Sequence, residues 1–307
     1  MWYGAPVRLV TSARAKVNLV LRVGPRRPDG FHEIDSLMAP LDLADRVEVR
    51  VSRRAGPVSC RVPGRPDLDG PSNLAARAAD AFRHRFGVAR AIAIRIEKRI
   101  PVVAGLGGGS SDAAAVLRCL SRAFGARDRA VLSAIGLQVG SDVPFFLGAG
   151  PAWASGRGEA LTPASVPRLD LVLLYPRDQA LAIRAGEAYA WLDAARRGAP
   201  PTPWPIRRRS FALSQTGNDL EPPCVAARTE LRALLGLLTG HGAARAMMSG
   251  SGPTVLGLFR SRRAAREAAR AIRQEVVAEA LEVLVARTTQ GHPRVAPWRS
   301  PRSASSP

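Results

Sequence analysis

Residues 101–115, PVVAGLGGGSSDAAA, set four glycines between a strand pattern and a helix pattern, and few folds accommodate that junction. In the preceding segment Ile92, Ile94 and Ile96 alternate, which predicts a half-buried strand. Pro101 cannot extend that ladder. Gly105, Gly107, Gly108 and Gly109 supply backbone that takes positive φ and approaches a ligand with no Cβ in the way. Ser110 or Ser111 is expected to N-cap a helix that Gly125 ends. A glycine loop feeding a helix N-terminus aims unpaired N–H groups and the positive dipole end at one point, which suits a phosphate. A glycine run can also be a linker, but linkers seldom join a strand to a capped helix.

The common nucleotide loops are excluded. A P-loop needs a Lys after its glycines, and none follows here. The dinucleotide pattern fails because Ser110 stands where its third Gly would be.

A chain of 307 residues with 46% apolar content has room for two packed domains. No apolar run is long enough for a membrane span, and the first residues lack the apolar core of a signal peptide. Cys60, Cys119 and Cys224 are widely spaced with no C-x-x-C, which argues against a disulfide frame or structural zinc and fits the cytoplasm. Net charge is +20, yet the 45 basic residues include only Lys16 and Lys98, and the arginines are scattered. Only Arg207–Arg209 and the tail form clusters, so no dedicated nucleic-acid role is expected, although polyanions should adhere weakly.

Strand patterns are expected at 7–23 and 46–52, with Pro28-Asp29-Gly30 as a turn after the first. Helices are expected at 74–86, capped by Ser72 or Asn73, and at 128–136, before the segment 140–147. Few long apolar side chains occur at 149–168, and the domain boundary is placed there, giving domains 1–160 and 161–290. The second half reads as a strand at 169–175, helices at 183–196 and 231–239, strands at 244–248 and 255–259, a helix at 262–280 and a strand at 281–286. That β-α-β-β-α-β order suggests a ferredoxin-like domain. A proline-rich loop is expected at 198–205, and the tail 291–307 has little to bury and reads as disordered. Oligomeric state is not legible.

The loop resembles the P-x-x-x-G-L-G-[GS]-[GS]-S-[SA] signature of the GHMP small-molecule kinases, in which it wraps the ATP phosphates. Three further segments resemble, in family order, the branch whose substrate carries a cytidine diphosphate group. They are Ala13–Leu19 with Arg26–Glu33 (RRPDGFHE), Gly140–Phe146 (GSDVPFF) and Ser249–Thr254 (SGSGPT), with a weaker echo in Asn218–Glu221. The resemblance implies a two-domain α+β GHMP kinase fold, with a ribosomal-S5-domain-2-like N-terminal domain and a ferredoxin-like C-terminal one. It implies phosphorylation of the substrate's 2-hydroxyl in isoprenoid precursor biosynthesis, with ATP and Mg²⁺. ATP would lie on Pro101, Val102, Val103, Ala104, Gly105, Leu106, Gly107, Gly108, Gly109, Ser110 and Ser111, one of whose hydroxyls would reach Mg²⁺. No dedicated protein metal site is expected.

Asp142 could accept the hydroxyl proton, or could be a turn or N-cap carboxylate. Lys16 would sit near it and orient the acceptor hydroxyl. Asn18, on the same face, would bond substrate or Asp142, or be structural. His32 would recognise the cytosine and Phe31 stack on it; the branch usually has Tyr at that position. Ala182 stands where the family tends to carry a Thr near the phosphates. A homoserine or mevalonate-type kinase has no use for the D-G-F-H segment. A nucleic-acid-binding protein of related fold would not need Lys16, Asp142 and the glycine loop together.

Overall fold

The computed structural model describes residues 6–197, 211–291 and 293–297. In chain order the N-terminal half runs β1 (Val7–Arg26), β2 (His32–Ala55), β3 (Val58–Arg61), α1 (Leu74–Phe86), β4 (Arg90–Glu97), α2 (Gly108–Phe124), α3 (Arg129–Val139), α4 (Val143–Leu147), β5 (Ala152–Gly156) and β6 (Ala160–Pro163). The C-terminal half follows with β7 (Asp170–Pro176), α5 (Ala185–Ala195), β8 (Gly217–Asn218), α6 (Glu221–Ala227), α7 (Glu230–Gly240), β9 (Arg245–Met248), β10 (Val255–Phe259), α8 (Arg262–Glu275), β11 (Leu281–Arg287) and β12 (Ala296–Pro297). The proline-rich loop expected at 198–205 and the Arg207–Arg209 cluster lie outside the described residues.

β1 and β2 form one long antiparallel pair, Val7 opposite Val51 and Arg26 opposite His32, which carries most of the first sheet. β4 and β5 pair with β2, β3 with β4 and β6 with β5, while the two-residue strands β8 and β12 pair with β1. The first half of β2 escapes an alternation search because Asp35–Pro40 is buried on both faces, the polar Asp35 and Ser36 included, so polarity does not alternate along it. Register shifts at Arg14/Lys16 and Asn18/Val20 bracket Lys16 and Asn18. Such bulges re-aim side chains, and here they do so beside the largest functional groups of the strand.

α1, α2 and α3 cover one face of this sheet over a core that includes Phe82, Ile92, Ile94, Ile96, Leu117 and Phe145. Asn73 caps α1, its side chain accepting from Ala75 N at 2.9 Å, and left-handed Gly87 ends it. Asp128 caps α3.

The second sheet has the order β11-β7-β10-β9, all antiparallel, which is the fourth-first-third-second order of a ferredoxin-like unit. β7 is apolar without alternation because it is buried twice. Val172 and Leu174 face the core under α7 and α8, whereas Leu171 and Leu173 face a second core shared with the first sheet. That shared core takes in Val17, Leu19, Leu37, Leu256 and Leu258 together with Ile100, Ala104 and Leu106. The base of the glycine loop is thus clamped between the two sheets.

Three sequence expectations change. The division at residue 160 falls inside β6, which still pairs with β5; the change of sheet occurs at 164–169. α8 stops at Glu275, five residues short of the expected end. The tail is not disordered from 291 on: Ala296 and Pro297 pair with Val10 and Leu9, and the apolar Val295 packs on the first core. Residues 298–307 lie outside the described region.

Candidate functional site

The glycine loop lines a cavity of about 360 Å³, together with Asn73, Leu74, Lys98 and Asp112. Its backbone is unusual in the expected way. Gly105 and Gly107 have φ of 71° and 69°, and Val103, a β-branched residue, is also held at 56°. Such an arrangement is strained and persists only where neighbours fix it. A Cβ on Gly107 would meet Phe146 Cζ at 2.9 Å, and one on Gly105 would meet the backbone of Ser249 and Gly252.

The helix cap differs from expectation. Gly107, in left-handed conformation, is the N-cap of α2, and no side chain caps the helix. Ser110 and Ser111 lie inside the first turn. Because left-handed glycine starts the helix three residues early, the N–H groups of Gly108, Gly109 and Ser110 have no side-chain acceptor and remain for an anion. Two of the eleven expected loop residues turn away from the cavity. Leu106 is in the shared core, its carbonyl accepting from Lys16 N at 2.9 Å, and Ser111 is fully buried with an unpartnered hydroxyl.

A second cavity, of about 650 Å³, adjoins the first, and Ser110 belongs to both walls. At the junction Lys16 Nζ lies 3.5 Å from Asp142 Oδ2 and donates to Asn18 Oδ1 at 2.7 Å. Asn18 in turn donates to Ser36 Oγ at 2.7 Å. Lys16 and Asn18 are buried, so two β1 side chains and one from the α3–α4 connection converge in a low-dielectric corner. Asp142 occupies the N-cap position of α4, yet its side chain caps nothing and is 36% exposed to the second cavity. That removes the capping role left open by the sequence. Asn18 bonds Lys16 rather than Asp142, and so acts on the ammonium's position.

The far end of the second cavity is aromatic. Phe31, 50% exposed, has the Arg157 guanidinium 4.7 Å from its ring centroid. His32 is buried, donates Nε2–H to Asp193 Oδ1 at 2.7 Å, and stacks on Tyr189 with centroids 5.1 Å apart and planes 17° apart. Burial, and next the charge of Asp142, push the Tyr189 hydroxyl up to about 12. Tyr189, Asp193 and Arg157 are absent from the sequence expectations. Tyr189 and Asp193 stand four apart on α5, a spacing that shares a helix face, but nothing in the sequence says which strand that face meets.

The third motif braces the loop. Ser249 Oγ donates to Gly105 O at 3.3 Å, and Asn218 Nδ2 donates to Met248 O and Gly250 O. Glu221 accepts from Met248 N at 2.6 Å, and Asp219 pairs with Arg22 and Arg196. Asn218–Glu221 therefore fastens the second sheet to β1. Tyr175 of β7 donates to Val102 O at 2.9 Å, a further tie. Ala182 follows a short turn, Gln179–Leu181, and lines neither cavity.

Beside the loop, Lys98 Nζ bridges Asp45 at 2.5 Å and Asp112 at 2.8 Å. Asp45 also accepts from Arg99 N and Ile100 N, whereas Asp112 Oδ1 is buried with no partner. Burial, partly offset by Lys98, pushes the Asp112 carboxyl up to about 8. Lys98 goes up as well: burial opposes its charge, but Asp112 and Asp45 outweigh it.

A helix-capped glycine loop opening onto a second cavity through a Lys–Asp pair defines a small-molecule kinase, and the chain belongs to the GHMP kinase family. Residues 73–150 match the GHMP kinases N terminal domain and 206–278 the GHMP kinases C terminal domain. Over 301 residues the chain is 69% identical to the 4-diphosphocytidyl-2-C-methyl-D-erythritol kinase of Anaeromyxobacter sp. (strain Fw109-5), covering 98% of both chains. The enzyme of that name from Nitratidesulfovibrio vulgaris (strain DP4) is 41% identical over 263 residues, covering 82% of this chain and 91% of that one. A crystal structure of 4-(cytidine 5'-diphospho)-2C-methyl-D-erythritol kinase superposes with a TM-score of 0.72 at 34% identity, over 92% of this chain and all of the other. Homoserine kinase from Cytophaga hutchinsonii, at 17% identity and TM-score 0.68 over 96% of this chain and 100% of that one, shares the fold.

Proposed function

We propose that this chain transfers the γ-phosphoryl group of ATP to the 2-hydroxyl of 4-diphosphocytidyl-2-C-methyl-D-erythritol, a cytoplasmic step of non-mevalonate isoprenoid precursor biosynthesis. The observation that carries the reading is the junction: Lys16 and Asp142 stand where the cavity of the glycine loop meets a larger cavity ending in aromatic rings. Three buried free cysteines are in keeping with a reducing compartment.

The chemistry follows from the arrangement. The triphosphate lies on the open N–H groups of Gly108, Gly109 and Ser110, which stabilise its charge. The substrate hydroxyl sits beside Asp142, which accepts its proton as the oxygen bonds to the γ-phosphorus. The bond to the bridging oxygen breaks and ADP leaves with that oxygen. Lys16, held by Asn18, places its positive charge between the attacking oxygen and the transferring group. At the far end Phe31, His32 and Tyr189 offer aromatic faces and hydrogen-bonding edges that suit a pyrimidine base.

Among the described residues no group of three or more His, Cys, Asp or Glu could hold a metal ion. Mg²⁺ would arrive on the ATP phosphates, and the Ser110 hydroxyl, which faces both cavities, is the side chain that would hold it. The ion would supply charge neutralisation between the β- and γ-phosphates.

ADP release from the purified protein tests the reading, with the diphosphocytidyl alcohol, mevalonate and homoserine as acceptors. Turnover is expected with the first alone. Turnover of either small alcohol with none of the cytidyl compound overturns it.

A further inference from the structure

A third cavity, of about 410 Å³, lies behind the catalytic segment, between α2, α3 and α4. Its walls hold three guanidiniums, Arg118, Arg127 and Arg129, with the hydroxyls of Ser121 and Ser133, and no carboxylate. The acid nearest in sequence, Asp128, is committed elsewhere, its Oδ1 accepting from Ala130 N and Val131 N at the start of α3. Arg127 and Arg129 are exposed and have no ion-pair partner among the described residues. Several arginines elsewhere in the molecule are neutralised: Arg8 by Glu48, Arg22 and Arg196 by Asp219, Arg287 by Asp170.

Arg118 provides an independent observation. Its Nη1 donates to Phe146 O at 2.6 Å and its Nη2 to Ser12 O at 3.2 Å, but Nε is buried with no partner. Both contacts are to neutral carbonyls. Burial accordingly brings its pKa down to about 10, and the nearby Cys119 thiol offsets this only in part. A largely desolvated cation with no counter-charge is costly, and an anion entering the adjoining space would repay part of that cost. Planar guanidiniums with the Ser133 hydroxyl make a donor set matched to phosphate oxygens, while Ser121 Oγ already donates to Ala126 O at 2.6 Å.

We propose that the α2–α3–α4 cavity is a binding site for a small phosphate-bearing anion, separate from the nucleotide and acceptor cavities. Its volume exceeds what a single phosphate fills, so a diphosphate or a small phosphomonoester is the expected class. The Arg118 contact with Phe146 ties the site to α4, the helix that Asp142 begins. The site does not depend on which alcohol the enzyme phosphorylates.

The test titrates inorganic diphosphate by calorimetry into the full chain with both other cavities filled by a non-hydrolysable ATP analogue and cytidine diphosphate. One equivalent is expected to bind. The double variant Arg127→Ser/Arg129→Ser should weaken it at least tenfold, with kcat and both KM values unchanged in the absence of diphosphate. Binding that sodium chloride of equal ionic strength abolishes, binding undiminished in the double variant, or no heat at all would each overturn the proposal. Repeating the titration with glycerol 3-phosphate distinguishes the ligand forms: tighter binding than diphosphate assigns a phosphomonoester, weaker binding a diphosphate.

Discussion

The two cavities that meet at Ser110 are built by different means. The nucleotide cavity is made mostly of backbone: left-handed glycines, open N–H groups and a strained Val103, all within a few consecutive residues. The acceptor cavity is made of side chains from β1, the β1–β2 turn, β2, the α3–α4 connection, the β5–β6 turn and α5, brought together only by the packing of two sheets. A backbone site is fixed by local conformation and resists substitution through sterics. A side-chain site is fixed by tertiary packing, and individual residues can be exchanged to alter specificity. The difference predicts that damage on one side leaves binding on the other side intact.

The largest effect is expected where the cavities meet. Asp142→Asn keeps the shape but removes the proton acceptor, and should lower kcat by roughly 10²–10⁴-fold with ATP binding unchanged. A variant keeping a third of wild-type kcat would make Asp142 structural. Next comes Gly108→Val. A Cβ there would lie 3.1 Å from Ile100 Cγ2 and 3.3 Å from Lys98 Nζ, and the added branch reaches into the phosphate path. ATP affinity should fall at least about 100-fold, with the melting curve and cytidine diphosphate binding retained. Calorimetry showing unchanged ATP affinity would mean the loop is only a connector.

On the acceptor side, Tyr189→Ala removes the ring stacked on His32. Loss of a base-stacking face is worth about 1–3 kcal/mol, so KM for the cytidyl substrate should rise roughly 10–100-fold. KM for ATP should not move. If both KM values rise together, the two cavities are not independent and the contrast drawn above fails.

What the sequence disclosed follows the same contrast. The glycine loop and the ferredoxin-like strand order were legible because each signal is local, a motif or an apolar run; Lys16 and Asp142 stood out only through the resemblance to the GHMP kinases, and the fold places them 3.5 Å apart. The cap of α2 lies three or four residues before the serines that favour such a position, because Gly107 starts the helix from a left-handed conformation that residue preference does not signal. Leu106 and Ser111 look like loop residues in one dimension, but Leu106 packs into the core between the sheets and the twist of α2 turns Ser111 inward. Tyr189, Asp193 and Arg157 were invisible, since their roles arise from packing between segments more than 120 residues apart in the case of His32 and Asp193. The anion cavity was equally hidden, because an arginine count cannot tell which cations lack partners.

A smaller effect is expected from Lys16→Arg. Only two lysines occur in the chain, and both line the cavities, Lys16 beside Asp142 and Lys98 under the glycine loop. Arg carries the same charge, but its planar fork does not fit where Lys16 Nζ meets Asn18 at 2.7 Å and its stem runs 3.1 Å from where a Gly107 Cβ would be. Misplacement should cost about tenfold in kcat, near 1.4 kcal/mol. Wild-type kcat in steady-state kinetics would show that charge alone matters there.

The smallest effect concerns the wall of the nucleotide cavity and is read as stability rather than rate. Asp112 is buried with one unpartnered oxygen, and its carboxyl is pushed up to about 8, well above the usual carboxylate range. A carboxyl whose folded pKa exceeds its unfolded value binds its proton more tightly in the native state. Its contribution to stability is therefore full below about pH 4, where both states are protonated, and is lost progressively as pH rises to about 8. Asp112→Asn cannot titrate, and retains an amide oxygen for Lys98. The melting temperature of the variant minus that of wild type should thus climb by a few degrees between pH 5 and 8, then level off. Titrating groups that do not interact with Asp112 are common to both proteins and cancel in the difference. A flat difference between pH 5 and 8 would mean that Lys98 holds Asp112 ionised in the fold, and a difference that falls as pH rises through about 4 that their ion pair is a net stabiliser.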